Sequence, residues 1–235
     1  MAPSSYRSAR EVIVYGRNAV REAIRGPRRV RAVWATRGAA REFAGALPAG
    51  ADEIAQRSGS DGHQGVCADV EDYRYADPAA LLGARDPVLV ALDEISDPQN
   101  LGAICRTAEC TGATGVILPE RRSAAVTAAV CKASAGAVEH LAVAQVRNLA
   151  DFLADARSAG CWSYGAAVDA PTQYRSVDWR GGVVLVLGAE GRGLRPRVAA
   201  ACDGLVALPL RGRVGSLNVS ATAAVLLYEI LQQRA

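Results

Sequence analysis

The chain has 235 residues, 50% of them hydrophobic, with 27 lysines and arginines against 24 aspartates and glutamates for a net charge of +3. That length holds one large domain, or a medium and a small one, with enough apolar content for a core. A charge of +3 says little about partners, no run of about 18 apolar residues offers a membrane span, and the opening MAPSSYRSAREVIVYG lacks the apolar centre of a signal peptide. A cytoplasmic protein that does not enter the membrane is expected.

Six cysteines (Cys67, Cys105, Cys110, Cys131, Cys161, Cys202) are scattered without a CxxC pair, and the chain has two histidines, His63 and His140. Reduced core thiols are expected, and no metal site, because zinc needs clustered ligands.

In chain order, residues 1–10 read as a basic, serine-containing, disordered tail. Residues 11–72 read as a small α/β domain: a short strand from Val12, a helix over Arg17–Arg25, a strand over Val30–Ala35, a second helix near Ala39–Leu47 and a closing strand over Gly65–Val70. Eight arginines (17, 21, 25, 28, 29, 31, 37, 41) stand between Arg17 and Arg41 against one acid, Glu22. The guanidinium fork suits phosphate, and a solvated face is the plainer alternative in a chain whose one lysine is Lys132. Residues 73–87, polar and with two Asp-Pro steps, read as a linker containing one short helical turn.

Residues 88–235 alternate apolar runs (Val88–Leu92, Gly115–Leu118, Leu141–Val146, Cys161–Val168, Val183–Leu187, Leu205–Leu208) with helical segments (Asn100–Cys110, Ala124–Ala133, Leu149–Ser158, Arg195–Ala201). This pattern predicts a mostly parallel sheet with helices on both faces. The last helix, Asn218–Gln233, is apolar on nearly every side, which predicts packing on the sheet and against a second subunit, a homodimer.

Two strands end in glycine-rich turns, LVLGAEGRGL (Leu185–Leu194) and LPLRGRVGSLNVSATAAVLLYE (Leu208–Glu229). Such turns let backbone approach a ligand closely. Upstream, DEISDPQNLGAICRTAECTGATGVIL (Asp93–Leu118) sets Asn100, Gly102, Arg106 and Thr107 at a helix start. On that helix Leu101, Ile104 and Ala108 share a face and Arg106 lies roughly 140° to 160° away, so Arg106 points out of the core, free to pair with Glu109 or Asp97. The GAEGRG at Gly188–Gly193 has the wrong spacing and place for a dinucleotide fingerprint.

These three segments, in this order, resemble the three motifs of the SpoU/TrmH-type RNA 2′-O-ribose methyltransferases of the SPOUT superfamily. The resemblance extends to YGRNAV (Tyr15–Val20) and HQGV (His63–Val66), which look like the family's small L30e-like RNA-binding domain. Within the family the chain looks most like the bacterial enzymes that methylate a guanosine of 23S ribosomal RNA. The resemblance implies a deep trefoil knot in the C-terminal domain, a C-terminal homodimer, ribosomal RNA as partner and S-adenosylmethionine as methyl donor. It further implies Arg106, Asn100, Glu190, Ser216 and Asn218 as catalytic-site residues, and Gly188, Leu208 and Leu217 as donor contacts. Arg17, Arg21, Arg25, Arg28 and Arg29 become RNA contacts. Simpler roles exist for several of these: Glu190 as a helix N-terminal acid, Ser216 or Asn218 as an N-cap, Leu208 and Leu217 as core. The family's arginine is often taken as the base; a guanidinium, which holds its proton at neutral pH, suits a phosphate clamp better. The three motifs are shared with tRNA and antibiotic-resistance rRNA 2′-O-methyltransferases. A catalytically silent RNA-binding assembly factor would not need the five catalytic-site residues in register.

Overall fold

A computed structural model describes residues 12–235; the tail expected over 1–10 lies outside the described residues. The chain divides between Arg74 and Tyr75 into two compact units.

In the first unit, β1 (Val12–Tyr15), α1 (Arg17–Arg25), β2 (Val30–Ala35), β3 (Leu47–Pro48), α2 (Ala51–Ser58) and β4 (Val66–Val70) form a four-stranded sheet in the order β1-β4-β2-β3 with its helices. β4 is buried along its whole length and pairs antiparallel with β1 and β2. The helix expected over Ala39–Leu47 is replaced by a single 3₁₀ turn, Ala40–Glu42, with Phe43 buried behind it. Gly45, at φ +78°, turns the chain away so that Leu47 and Pro48 pair with β2. The second helix is instead α2, which was marked in the sequence by Asp52 and Glu53 in its first turn, Arg57 in its last, and a glycine at each end.

The second unit contains α3 (Pro78–Leu82), β5 (Val88–Asp93), α4 (Pro98–Cys110), β6 (Gly115–Pro119), α5 (Ala128–Ala133), β7 (Val143–Val146), α6 (Leu149–Ser158), β8 (Trp162–Ala166), β9 (Thr172–Gln173), β10 (Val183–Gly188), α7 (Pro196–Ala201), β11 (Gly204–Ala207) and α8 (Val219–Gln233). Its seven strands run in the order β7-β6-β5-β10-β8-β11-β9, every pairing parallel. Uninterrupted burial of β5 and β6 fits a sheet covered on both faces. Within the stretch read as linker, residues 75–82 are built into this unit. Ala76 bridges to Ala144, the Tyr75 hydroxyl accepts from Val126 N at 3.0 Å, and Leu81 enters the core.

The chain places β5, β6 and β7 to one side and β8 to the other, then returns to insert β10 between β5 and β8. Where parallel strand order reverses, the loops leaving the carboxyl ends diverge and open a crevice. α8 packs on α4 and β10 through Val219, Ala223, Leu226, Leu227 and Ile230. Its opposite side, with Val225, Tyr228 and Leu231, is exposed in the single chain.

Candidate active site

The crevice is a cavity of about 830 Å³ at the carboxyl ends of the parallel strands. Its walls are the last residue of β8 and the turn after it (166–169), the end of β10 with the glycine loop that follows (187–194), and the segment between β11 and the start of α8, including Leu208, Leu210 and residues 215–219. Six of the predicted site residues, Gly188, Glu190, Leu208, Ser216, Leu217 and Asn218, line it. Leu208 is half-buried and Leu217 exposed, so neither is merely core.

Local chemistry places each side chain. Asp97 caps α4, its carboxylate accepting from Gln99 N at 2.9 Å, and Pro98 opens the helix, so Asn100 falls in the first turn, buried. The loop after β10 doubles back, with Gly193 N donating to Ala189 O at 2.8 Å, and this turn carries Glu190. Asn218 caps α8: its Oδ1 accepts from Ser220 N at 2.8 Å, from Ala221 N at 3.3 Å and from the Ser220 hydroxyl at 2.5 Å.

These three side chains, up to 118 positions apart in sequence, meet. Asn100 Nδ2 donates to Glu190 Oε1 at 3.1 Å, Asn218 Nδ2 donates to Asn100 Oδ1 at 2.9 Å and also to Glu190 Oε1. Val219 N, the first amide of α8, points at the same Glu190 oxygen at 3.4 Å. Glu190 therefore is a helix N-terminal acid, but of α8 rather than of the helix that follows it. The N-cap reading of Asn218 holds as well, and its amide serves both tasks. A carboxylate accepts only, so it fixes which way both amides face. Glu190 Oε2 has no hydrogen-bond partner among the described residues.

Arg106 is on α4 but does not line the cavity; it is exposed, and neither Glu109 nor Asp97 pairs with it. Sequence reasoning passed over Ser220, which holds the Asn218 oxygen; the S-x-N-x-S spacing within SLNVS was the available signal. Burial pushes the thiols of Cys67, Cys105 and Cys202 up to about 11, 12 and 12, which removes them from nucleophilic chemistry at neutral pH.

In the first unit the predicted arginines differ in state. Arg17 and Arg21 both reach Glu42, at 2.7 and 2.8 Å, and Arg25 pairs with Glu22 at 3.0 Å. Arg28 is buried, donating to Glu71 O at 3.1 Å with its guanidinium 5.7 Å from the Tyr73 ring centroid, and so holds the fold rather than facing outward. Arg29, Arg37 and Arg41 are exposed and carry no ion pair among the described residues.

A parallel sheet with a ligand-sized cavity at its strand-order reversal, and a carboxylate gripped by two amides at the mouth, defines an α/β protein that binds a small molecule at its topological switch point. Residues 87–228 match the SpoU rRNA Methylase family and residues 13–76 match the RNA 2′-O ribose methyltransferase substrate binding domain. The chain belongs to the SpoU rRNA Methylase family. The tRNA/rRNA methyltransferase slr0955 of Synechocystis sp. is 38% identical over 99% of this chain and 66% of that protein. YacO of Bacillus subtilis, named for the TrmH family of tRNA/rRNA methyltransferases, is 36% identical over 94% of this chain and 95% of its own. In structure, the AdoMet-bound rRNA methyltransferase of Sinorhizobium meliloti superposes with a TM-score of 0.82 at 26% identity, covering 96% of this chain and 88% of that one.

Proposed function

We propose that this protein transfers a methyl group from S-adenosylmethionine to the ribose 2′-hydroxyl of a guanosine in 23S ribosomal RNA, in the cytoplasm and as a homodimer. The observation that carries the reading is the Asn100–Glu190–Asn218 cluster, which joins one residue from each of the three motif segments at the mouth of the cavity.

The cavity fits the donor. About 830 Å³ lies within the range of small-molecule sites, apolar walls from Leu187, Leu208, Leu210 and Leu217 suit a base, and the glycine loop offers backbone groups. Bound there, S-adenosylmethionine supplies a methyl on a sulfonium centre. The chain's own residues orient the ribose. A neutral hydroxyl is a weak nucleophile, and its approach line decides the rate. Asn100 and Asn218, held by Glu190, fix the rim against which the nucleotide rests, with Ser216 beside them. Arg106 clamps the adjacent phosphate as a permanent cation. Insertion of β10 between strands laid down earlier is the topology that a trefoil knot of the C-terminal unit would need. The exposed Val225, Tyr228 and Leu231 side of α8 is the surface that a second copy would cover. In the first unit Arg17, Arg21, Arg25 and Arg29 form the RNA-facing set, with Arg28 supporting them from within.

The test is methyl transfer from labelled S-adenosylmethionine by the purified protein to 23S rRNA transcripts and to bulk tRNA, followed by nucleoside analysis. The reading expects 2′-O-methylguanosine in 23S rRNA. Label in tRNA alone would transfer the assignment to a tRNA enzyme, and label on a base would refute ribose methylation.

A further inference from the structure

Asp93, the last residue of β5, is fully buried, and across the ladder it stands opposite Gly188, the last residue of β10. Seven residues beyond Gly188 the chain returns to that same carboxylate. Arg195 N donates to Asp93 Oδ2 at 2.8 Å, Arg195 Nε donates to Oδ1 at 2.7 Å, and Nη2 lies 2.7 Å from Oδ1. Both ends of the glycine loop thus close on one residue 95 and 102 positions upstream, by strand register at one end and by a guanidinium fork at the other. The neck between them has no slack. A Cβ placed on Gly188 would lie 2.1 Å from the Gly193 carbonyl carbon, so only glycine lets the two stretches of backbone touch.

A carboxylate taken wholly out of water persists only when its oxygens are satisfied, and here one residue provides the three contacts. Hydrogen bonding to Asp93 also raises the Arg195 pKa above its ordinary value. The string continues: Arg195 Nη1 lies 3.5 Å from Glu94 Oε1, and Arg122 Nη1 donates to that oxygen at 3.4 Å. Glu94 and Arg122 both sit at φ +60°, a conformation that side chains other than glycine adopt only when their surroundings hold them there.

We propose that Asp93 and Arg195 form a latch that positions the glycine loop, and with it the donor-side wall of the cavity, independently of the Glu190 anchor at the loop's other end. They are positioning residues, and the proposal rests on reading the cavity as the donor site. Because Glu190 keeps its own bonds to Asn100 and Asn218, opening the latch should loosen the donor wall more than it disturbs the reacting centre. Its signature is weaker donor binding with turnover at saturating donor largely kept.

The test uses the full chain as wild type, Arg195→Met, Arg195→Lys and Asp93→Asn. S-adenosylmethionine binding is measured by calorimetry, with donor KM and kcat, thermal midpoint, and tryptic cleavage after Arg192 measured in parallel. Arg195→Met is expected to weaken donor binding about tenfold and raise donor KM alike, with kcat within about threefold and faster cleavage after Arg192. Asp93→Asn should follow it, and Arg195→Lys, which keeps the charge, should recover most of the affinity. Unchanged donor affinity in Arg195→Met overturns the latch, as does a loss of affinity and kcat that tracks the thermal midpoint and that Lys does not rescue. Absence of donor binding by folded wild type overturns the donor-site reading instead. Cleavage after Arg192 then decides the latch separately: acceleration in Arg195→Met upholds its hold on the loop, and no change refutes it.

Discussion

At the scale of single residues, Glu190 is the pivot, since one of its oxygens receives the amides of Asn100, Asn218 and Val219. Glu190→Ala removes the one acceptor that Asn100 and Asn218 share, so both amides lose the bond that fixes their orientation. Misplacement of a positioning group by about 1 Å costs on the order of 100-fold in rate. A kcat loss of about that size, with the thermal midpoint nearly unchanged, is the expected outcome in a labelled-donor assay. The cysteines give a second prediction. A raised pKa keeps a thiol protonated, and therefore unreactive, below that pKa. At pH 8 the buried Cys67 and Cys105 and the half-buried Cys202 should resist iodoacetamide in the folded protein, whereas the exposed Cys110 should be alkylated first, as peptide mapping would read.

At the scale of elements, Asp203 ties the turn after α7 to β8. Ser163 donates to its Oδ2 from both backbone and hydroxyl, at 2.8 and 2.7 Å, and Arg157 lies 2.5 Å from Oδ1. Burial pushes this carboxyl up, but the Ser163 and Arg157 hydrogen bonds outweigh it and leave the pKa below the ordinary value. A folded-state pKa below the unfolded one contributes stability above the unfolded value of about 3.9, and that contribution is lost as pH falls through the folded value. Asp203→Asn should therefore cost about 1–3 kcal/mol in urea unfolding at pH 7, with the gap to wild type narrowing below about pH 4. A pH-independent gap would contradict the assignment. The elements themselves were legible where physics is local. Continuous apolar runs gave the parallel strands, and Asp97-Pro98 gave the start of α4. Near Ala39–Leu47 apolar spacing suggested a helix, but Gly45 and the pairing of Leu47 with Trp34 prevailed, a tertiary contact that local spacing does not encode. The Asp93–Arg195 pairing was illegible for the same reason: it joins residues 102 apart through sheet order. By contrast Asn100, Glu190 and Asn218 were named from motif resemblance alone, and the fold brings the three into contact.

At the scale of the whole molecule, the first unit matches an RNA 2′-O ribose methyltransferase substrate binding domain and the second the methylase itself. Charge accounting separates arginines that the sequence treated alike. Arg28 is buried, whereas Arg29 is exposed and without an ion pair among the described residues. Arg29→Ala should weaken RNA binding uniformly across sequences and lower the slope of log affinity against log salt by about 0.7 to 0.9 if it meets one phosphate. Arg28→Ala should instead lower the stability of the first unit, seen in its thermal unfolding. The central claim, ribose methylation of ribosomal RNA by the Glu190-centred site, is tested most directly in cells. Ribose methylation of ribosomal RNA and tRNA would be mapped by mass spectrometry in a strain lacking this protein, then after restoring wild type or Glu190→Ala. The account predicts that one 2′-O-methylguanosine disappears from 23S rRNA and returns only with wild type. An unchanged map, or full restoration by Glu190→Ala, would contradict it.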